Sequence, residues 1–95
     1  MENEQAYTEV INTIIASKVK AFGRLAIDKA KTINGLNIDE QGNVVALFGS
    51  PQTIIHNLLI TYEEICGKVS TISARTVIIR LRRKYPDLEL PKELG

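Results

Sequence analysis

Apolar residues recur at steps of three, four and one from Val10 to Ile33: Val10, Ile11, Ile14, Ile15, Val19, Phe22, Leu25, Ala26, Ala30 and Ile33. That period predicts an amphipathic helix over about residues 6–33, with Lys18, Lys20, Arg24, Lys29 and Lys31 on its other face. Asn34-Gly35 then supplies the two residue types that best tolerate the left-handed conformation ending a helix. At about 1.5 Å per residue the helix runs about 40 Å, so it needs a second long surface, from its own chain or from another copy. Two β-prone runs follow, Leu36–Asp39 and Asn43–Phe48, around the polar turn Glu40-Gln41-Gly42. They read as a short hairpin over 36–48 that has to pack on helices or pair across a dimer to persist.

The period returns to helical after Gly49. Ser50 suits an N-cap and Pro51 the first helical position, where its missing N–H is not needed. The helix continues over 51–66 through Ile54, Ile55, Leu58, Leu59, Tyr62, Ile65 and Cys66. Gly67 and Ser70-Thr71-Ile72-Ser73 then lower helix propensity, and the apolar phase shifts to Val77, Ile78, Leu81 and Tyr85. Either one kinked helix runs to residue 85, or the chain breaks and restarts over 73–85 with Ser73 as cap; the break is the preferred reading. Pro86 ends the helix, and Leu88, Leu90 and Leu94 mark an extended tail, 86–95, that packs back. The fold class is therefore mainly α with a small hairpin, in the order α-β-β-α-α, within one small domain.

An internal similarity runs at an offset of 44 residues. It aligns Val10-Ile11 and Ile14-Ile15 with Ile54-Ile55 and Leu58-Leu59, Gly23 with Gly67, and Ala30-Lys31-Thr32-Ile33 with Ala74-Arg75-Thr76-Val77. If the halves are equivalent, Gly23 and Gly67 do one job, a kink or a close helix crossing.

Composition narrows the function classes. The chain has 95 residues and a formal charge of +1, so no global field points at nucleic acid or an acidic membrane. The charge is uneven, because residues 67–85 hold Lys68, Arg75, Arg80, Arg82, Arg83 and Lys84 with no acid. No apolar run is long enough to cross a bilayer, and the polar N-terminus and single cysteine fit a cytoplasmic protein. His56 and Cys66, one of each, lie about 15 Å apart along a helix at its 1.5 Å rise, which is no nucleophile–base pair and no metal site. Cys66 reads as a small core residue, and the acidic pairs Asp39-Glu40 and Glu63-Glu64 as solvated charge. No catalytic residue, cofactor or metal is expected.

Two interaction readings remain. Thr61-Tyr62-Glu63-Glu64-Ile65, Gly67-Lys68-Val69, Ile72-Ser73-Ala74-Arg75-Thr76-Val77 and Arg80-Leu81-Arg82-Arg83 resemble a helix-turn-helix, a Glu-Glu-Ile helix leading through a turn to a Ser-x-x-Thr-Val recognition helix. The stretch between Ile65 and Ser73 is one residue longer than that motif's usual spacing. The resemblance implies that Ser73, Arg75 and Thr76 approach base edges while Arg80, Arg83 and Lys84 meet phosphates. The other reading, taken first, is a non-enzymatic helical module that forms a homodimer. Ile11, Ile15, Phe22, Ala26, Ile55, Leu59 and Tyr62 would line its seam, leaving the basic C-terminal helix for an acidic protein partner.

Overall fold

A computed structural model describes residues 2–94. Helix α1 spans Glu2–Phe22 and is followed at once by α2, Arg24–Ala30. Strands β1, Leu36–Ile38, and β2, Val44–Leu47, pair antiparallel. Then come α3, Pro51–Cys66; α4, Val69–Val77; α5, Ile79–Lys84; and a 3₁₀ turn, Lys92–Leu94. The architecture is mainly helical, with the hairpin between a long N-terminal helix and the later helices, as the periodicity predicts.

The expected single helix over 6–33 is two helices. Gly23 separates them at φ 63°, ψ −140°, a region essentially closed to residues with a Cβ. Gly67 separates α3 from α4 in the same way, at φ 75°, ψ −167°. Both glycines donate to the carbonyl four residues back, Val19 and Glu63, at 2.7 Å, and both carbonyls accept three residues on, from Ala26 and Ser70, at 3.1 Å. A Cβ at either would meet nothing within 4 Å, so the close helix crossing is not their role. Their role is the break. The 21 residues of α1 span about 32 Å at 1.5 Å each, which matches the 31 Å long axis of the molecule. The chain then folds back, and α1 finds its covering surface in α2, α3 and α4.

The two helix–glycine–helix units pack as a pseudo-symmetric pair. Helix α1 lies on α4 as α2 lies on α3. Val10, Ile11, Ile14 and Ile15 and their equivalents Ile54, Ile55, Leu58 and Leu59 are all buried. Beyond each glycine the buried set repeats: Ala26, Ile27 and Ala30 in one unit, Ser70, Thr71 and Ala74 in the other. The polar contacts are reciprocal as well. Tyr62 Oη donates to the Ala26 carbonyl at 2.9 Å, while its equivalent Lys18 donates through Nζ to Ser70 O, the equivalent carbonyl, also at 2.9 Å. Burial raises the Tyr62 phenol well above its ordinary pKa. It lowers the Lys18 ammonium, against a smaller opposing effect of Cys66. Lys18 is therefore inside, not on the polar face where helical periodicity alone puts it.

Each unit also holds the segment that follows it through one position of its long helix. Asn12 Oδ1 accepts the Val44 N–H of the hairpin at 2.8 Å. The equivalent His56 holds the tail, Nδ1 to Glu93 Oε2 at 2.8 Å. The hairpin register runs Leu36 opposite Leu47, Asn37 opposite Ala46 and Ile38 opposite Val44, with an irregularity after Asn37. Asp39 closes the turn by accepting from Gln41 N and Asn43 N, each at 2.9 Å.

The start of α3 is as expected: Ser50 Oγ accepts from Thr53 N, and Pro51 opens the helix. The restart is not. Helix α4 begins at Val69, four residues before Ser73, and Ser73 lies inside it rather than capping it. Serine and threonine are tolerated there because Ser70 and Thr71 face the packed interior, where the tertiary contacts outweigh propensity. The tail does pack back, burying Leu94, with Leu88 and Leu90 half-buried against the core. No helix among the described residues is long and apolar enough to cross a membrane.

Candidate interaction surface on the C-terminal helices

Helices α4 and α5 act as one rod joined at Ile78. That residue stays close to helical at φ −96°, ψ 3°, donating to Ala74 O and accepting from Arg82 N. Ala74 and Ile78 are fully buried, which turns the opposite side of the rod outward. Lys68, Ile72, Arg75, Thr76, Ile79, Arg80 and Arg83 lie on that side at steps of three, four and one, and all are exposed. Ile72 and Ile79 keep 56% and 47% of their surface accessible, so the stripe mixes cations with aliphatic side chains. A cleft of about 710 Å³ opens beside it, lined by Thr13 of α1 and by Thr76, Ile79, Arg80, Leu81 and Arg83.

The predicted contact residues divide by what already holds them. Arg80 and Arg83 have no acidic partner among the described residues. Arg75 Nε donates to the Glu93 carbonyl of the tail at 2.6 Å. Thr76 Oγ1 turns back onto Ile72 O, and Ser73 is half-buried. Lys84 belongs to a separate junction, where its Nζ is 3.4 Å from Glu9 Oε1 and Tyr85 Oη donates to Glu9 Oε2 at 2.6 Å. Tyr85, then Lys84, hold the Glu9 carboxyl below its ordinary value, and Glu9 raises both of theirs. The junction fastens α5 to α1 and leaves Lys84 engaged.

No family model, curated protein or solved structure matches this chain. In the helix-turn-helix reading, the first turn of the second helix faces the bases. Here that turn contains Ser70 and Thr71, and both are buried. Arg75, Thr76, Arg80 and Arg83 remain on the surface along the flank of the rod.

The seven residues expected to line a dimer seam come together, but inside one chain. Ile11, Ile15, Ala26, Ile55, Leu59 and Tyr62 are at most 1% exposed, and Phe22 is half-buried. A second copy can reach them only if the fold opens. The premise of the seam, a helix too long to be covered, is removed by the break at Gly23.

Three polar features were not legible as such in the sequence. Glu40, read as solvated, is clamped: Arg24 Nη2 lies 2.5 Å from its Oε1 and Lys31 Nζ 2.8 Å from its Oε2. Lys31, then Arg24, lower the Glu40 carboxyl, and Glu40 raises the guanidinium. Cys66, read as core, is half-buried, with its thiol on Tyr62 O at 3.4 Å. The tail is tied by Tyr7 Oη to Glu89 O at 2.6 Å and by Gln52 Nε2 to the same carbonyl at 3.1 Å. The one signal for Lys18 was the internal similarity, which aligns it with Tyr62 in the apolar series.

Proposed function

We propose that this chain is a non-enzymatic interaction module that takes an acidic, amphipathic segment of a protein partner on the outer face of α4 and α5. One observation carries the reading: Arg80 and Arg83 stand exposed, with no acidic partner among the described residues, on a cleft that also offers the exposed Ile79. Elsewhere Arg24, Lys31 and Lys84 are met by carboxylates. Arginine suits an interface because its planar guanidinium pairs bidentately with carboxylates and sheds water easily. Exposed isoleucines beside it favour a partner that brings apolar side chains with its acids, as an amphipathic helix does. A second copy is not required to cover the N-terminal helix.

The test is fluorescence anisotropy of a synthetic amphipathic helix bearing Glu and Leu at helical spacing, titrated with the full chain. Its Glu-to-Gln counterpart and a random duplex of about 20 base pairs, run at several salt concentrations, are the comparisons. The expected result is binding of the acidic helix alone, weakened about tenfold, or roughly 1.4 kcal/mol, by Arg80→Glu or Arg83→Glu. Duplex binding with a steep salt slope, and none of the peptide, would replace this reading with phosphate contact by the same arginines.

A further inference from the structure

The pseudo-symmetry supplies a template for part of that face. In the first unit Arg24 and Lys31 stand seven residues apart on one side of α2, about 10 Å along the axis at 1.5 Å per residue, and hold Glu40 between them. Their equivalents at the 44-residue offset are Lys68 and Arg75, which follow Gly67 as Arg24 and Lys31 follow Gly23. Helix α4 starts one position later than α2, but the buried sets Ala26, Ile27, Ala30 and Ser70, Thr71, Ala74 coincide at that offset and give the two helices the same outward side. We propose that Lys68 and Arg75 form a second carboxylate clamp, one that takes an acidic side chain of the protein partner in the place Glu40 fills in the first. This inference rests on the reading of the face as an acidic-partner surface and names the contact at its N-terminal end.

Two differences between the units favour an outside occupant. Arg24 also pairs with Asp28 on its own helix, at 3.4 Å. The equivalent of Asp28 is Ile72, so Lys68 loses that local partner and gains an exposed aliphatic neighbour. The acids that line the recess with Lys68 and Arg75 are Glu63 and Glu93, and neither carboxylate forms an ion pair with Lys68 or Arg75. Glu63 accepts from the Thr71 hydroxyl, and the Glu93 carboxylate lies on His56. Glu93 meets Arg75 only through its backbone carbonyl, which neutralises no charge. The recess, about 260 Å³, suits one carboxylate side chain with an apolar neighbour resting on Ile72.

The experiment titrates the full chain with N-acetylglutamate N-methylamide, which carries one Glu side chain and no other charge. NMR follows the Arg Nε–Hε and Lys side-chain signals. The expected result is a saturating response at Lys68 and Arg75 with an apparent affinity about threefold or more above that of Lys29, an exposed cation outside any clamp. Lys68→Gln should reduce the Arg75 response to the Lys29 level. Glu40→Gln should make Arg24 and Lys31 respond too, because it removes the resident carboxylate, while the amide spectrum reports that the fold is kept. Equal response at Lys68, Arg75 and Lys29, or an Arg75 response indifferent to Lys68→Gln, would overturn the clamp. If the acidic helix binds through Arg80 and Arg83 while Lys68 and Arg75 stay silent, only the clamp fails. A responsive clamp with no helix binding would instead sink the wider face.

Discussion

Replacing Lys18 by Met should stabilise this protein. Lys18 is 3% exposed, and its ammonium donates to the Ser70 carbonyl at 2.9 Å. Burying an ammonium costs several kcal/mol even after relaxation, whereas a charge-assisted hydrogen bond returns about 1.5–3 kcal/mol. Methionine keeps the unbranched shape, fills the same channel and removes the charge. Ser70 O remains a helical carbonyl inside α4. The net gain should be about 1–2 kcal/mol, or roughly 4–16 °C in Tm for a chain of this size. Burial holds the Lys18 pKa below 10.5, so the unfolded chain binds that proton more tightly than the folded one. The penalty is complete below the folded pKa and is relieved as pH rises from there towards 10.5. Thermal unfolding followed by circular dichroism at pH 7 and at about pH 9.5 checks both parts. The advantage of Lys18→Met should shrink at the higher pH. A lower Tm for Lys18→Met at pH 7 would refute the reasoning, because the ammonium would then contribute more than its burial costs.

Tyr62→Phe removes the reciprocal bond to Ala26 O and leaves that carbonyl only its helical partner, so the urea midpoint should fall by an amount equal to about 1 kcal/mol. Gly23→Ala and Gly67→Ala should each cost about 1–3 kcal/mol by the same measure, because both force a Cβ into a backbone region nearly exclusive to glycine. A cost at only one of them would break the equivalence of the two units. Acid should destabilise the fold through Glu9, Asp39 and Glu40, each held below its ordinary value by, respectively, Tyr85, the Asn43 N–H and Lys31. Their contribution is complete above 4.5 and is lost as pH falls through the depressed folded values, which a pH series of unfolding midpoints will follow. Tyr85→Phe should return the Glu9 carboxyl towards 4.5, read by carboxyl NMR.

The hairpin and α3 were readable because their signals are local. Alternation with a polar turn marks two strands, and Ser50-Pro51 marks a helix start whatever surrounds it. The break at Gly23 was marked only through its match to Gly67, as a kink or a close helix crossing, since an isolated glycine inside a strong apolar period otherwise reads as a tolerated interruption. The start of α4 was obscured for the opposite reason. Ser70 and Thr71 weaken helix propensity, yet they are buried there against the first unit. The basic stretch of 67–85 was evident as a charge run, but its division into engaged and free cations was not. Arg75 donates to the backbone carbonyl of Glu93 and Lys84 meets the Glu9 carboxylate, and these partners lie far off in sequence.

By itself, then, the order of residues determined the helical class, the hairpin, the apolar faces and the segregation of positive charge. Each depends on interactions within a few residues, where periodicity and capping decide. Tertiary structure alone decided that the expected seam closes within one chain, that Lys18 sits inside, and that Arg80 and Arg83 meet no acid among the described residues. Those outcomes turn on a positive φ at Gly23 and Gly67, which folds each unit back on itself, and on the packing of one unit against its equivalent.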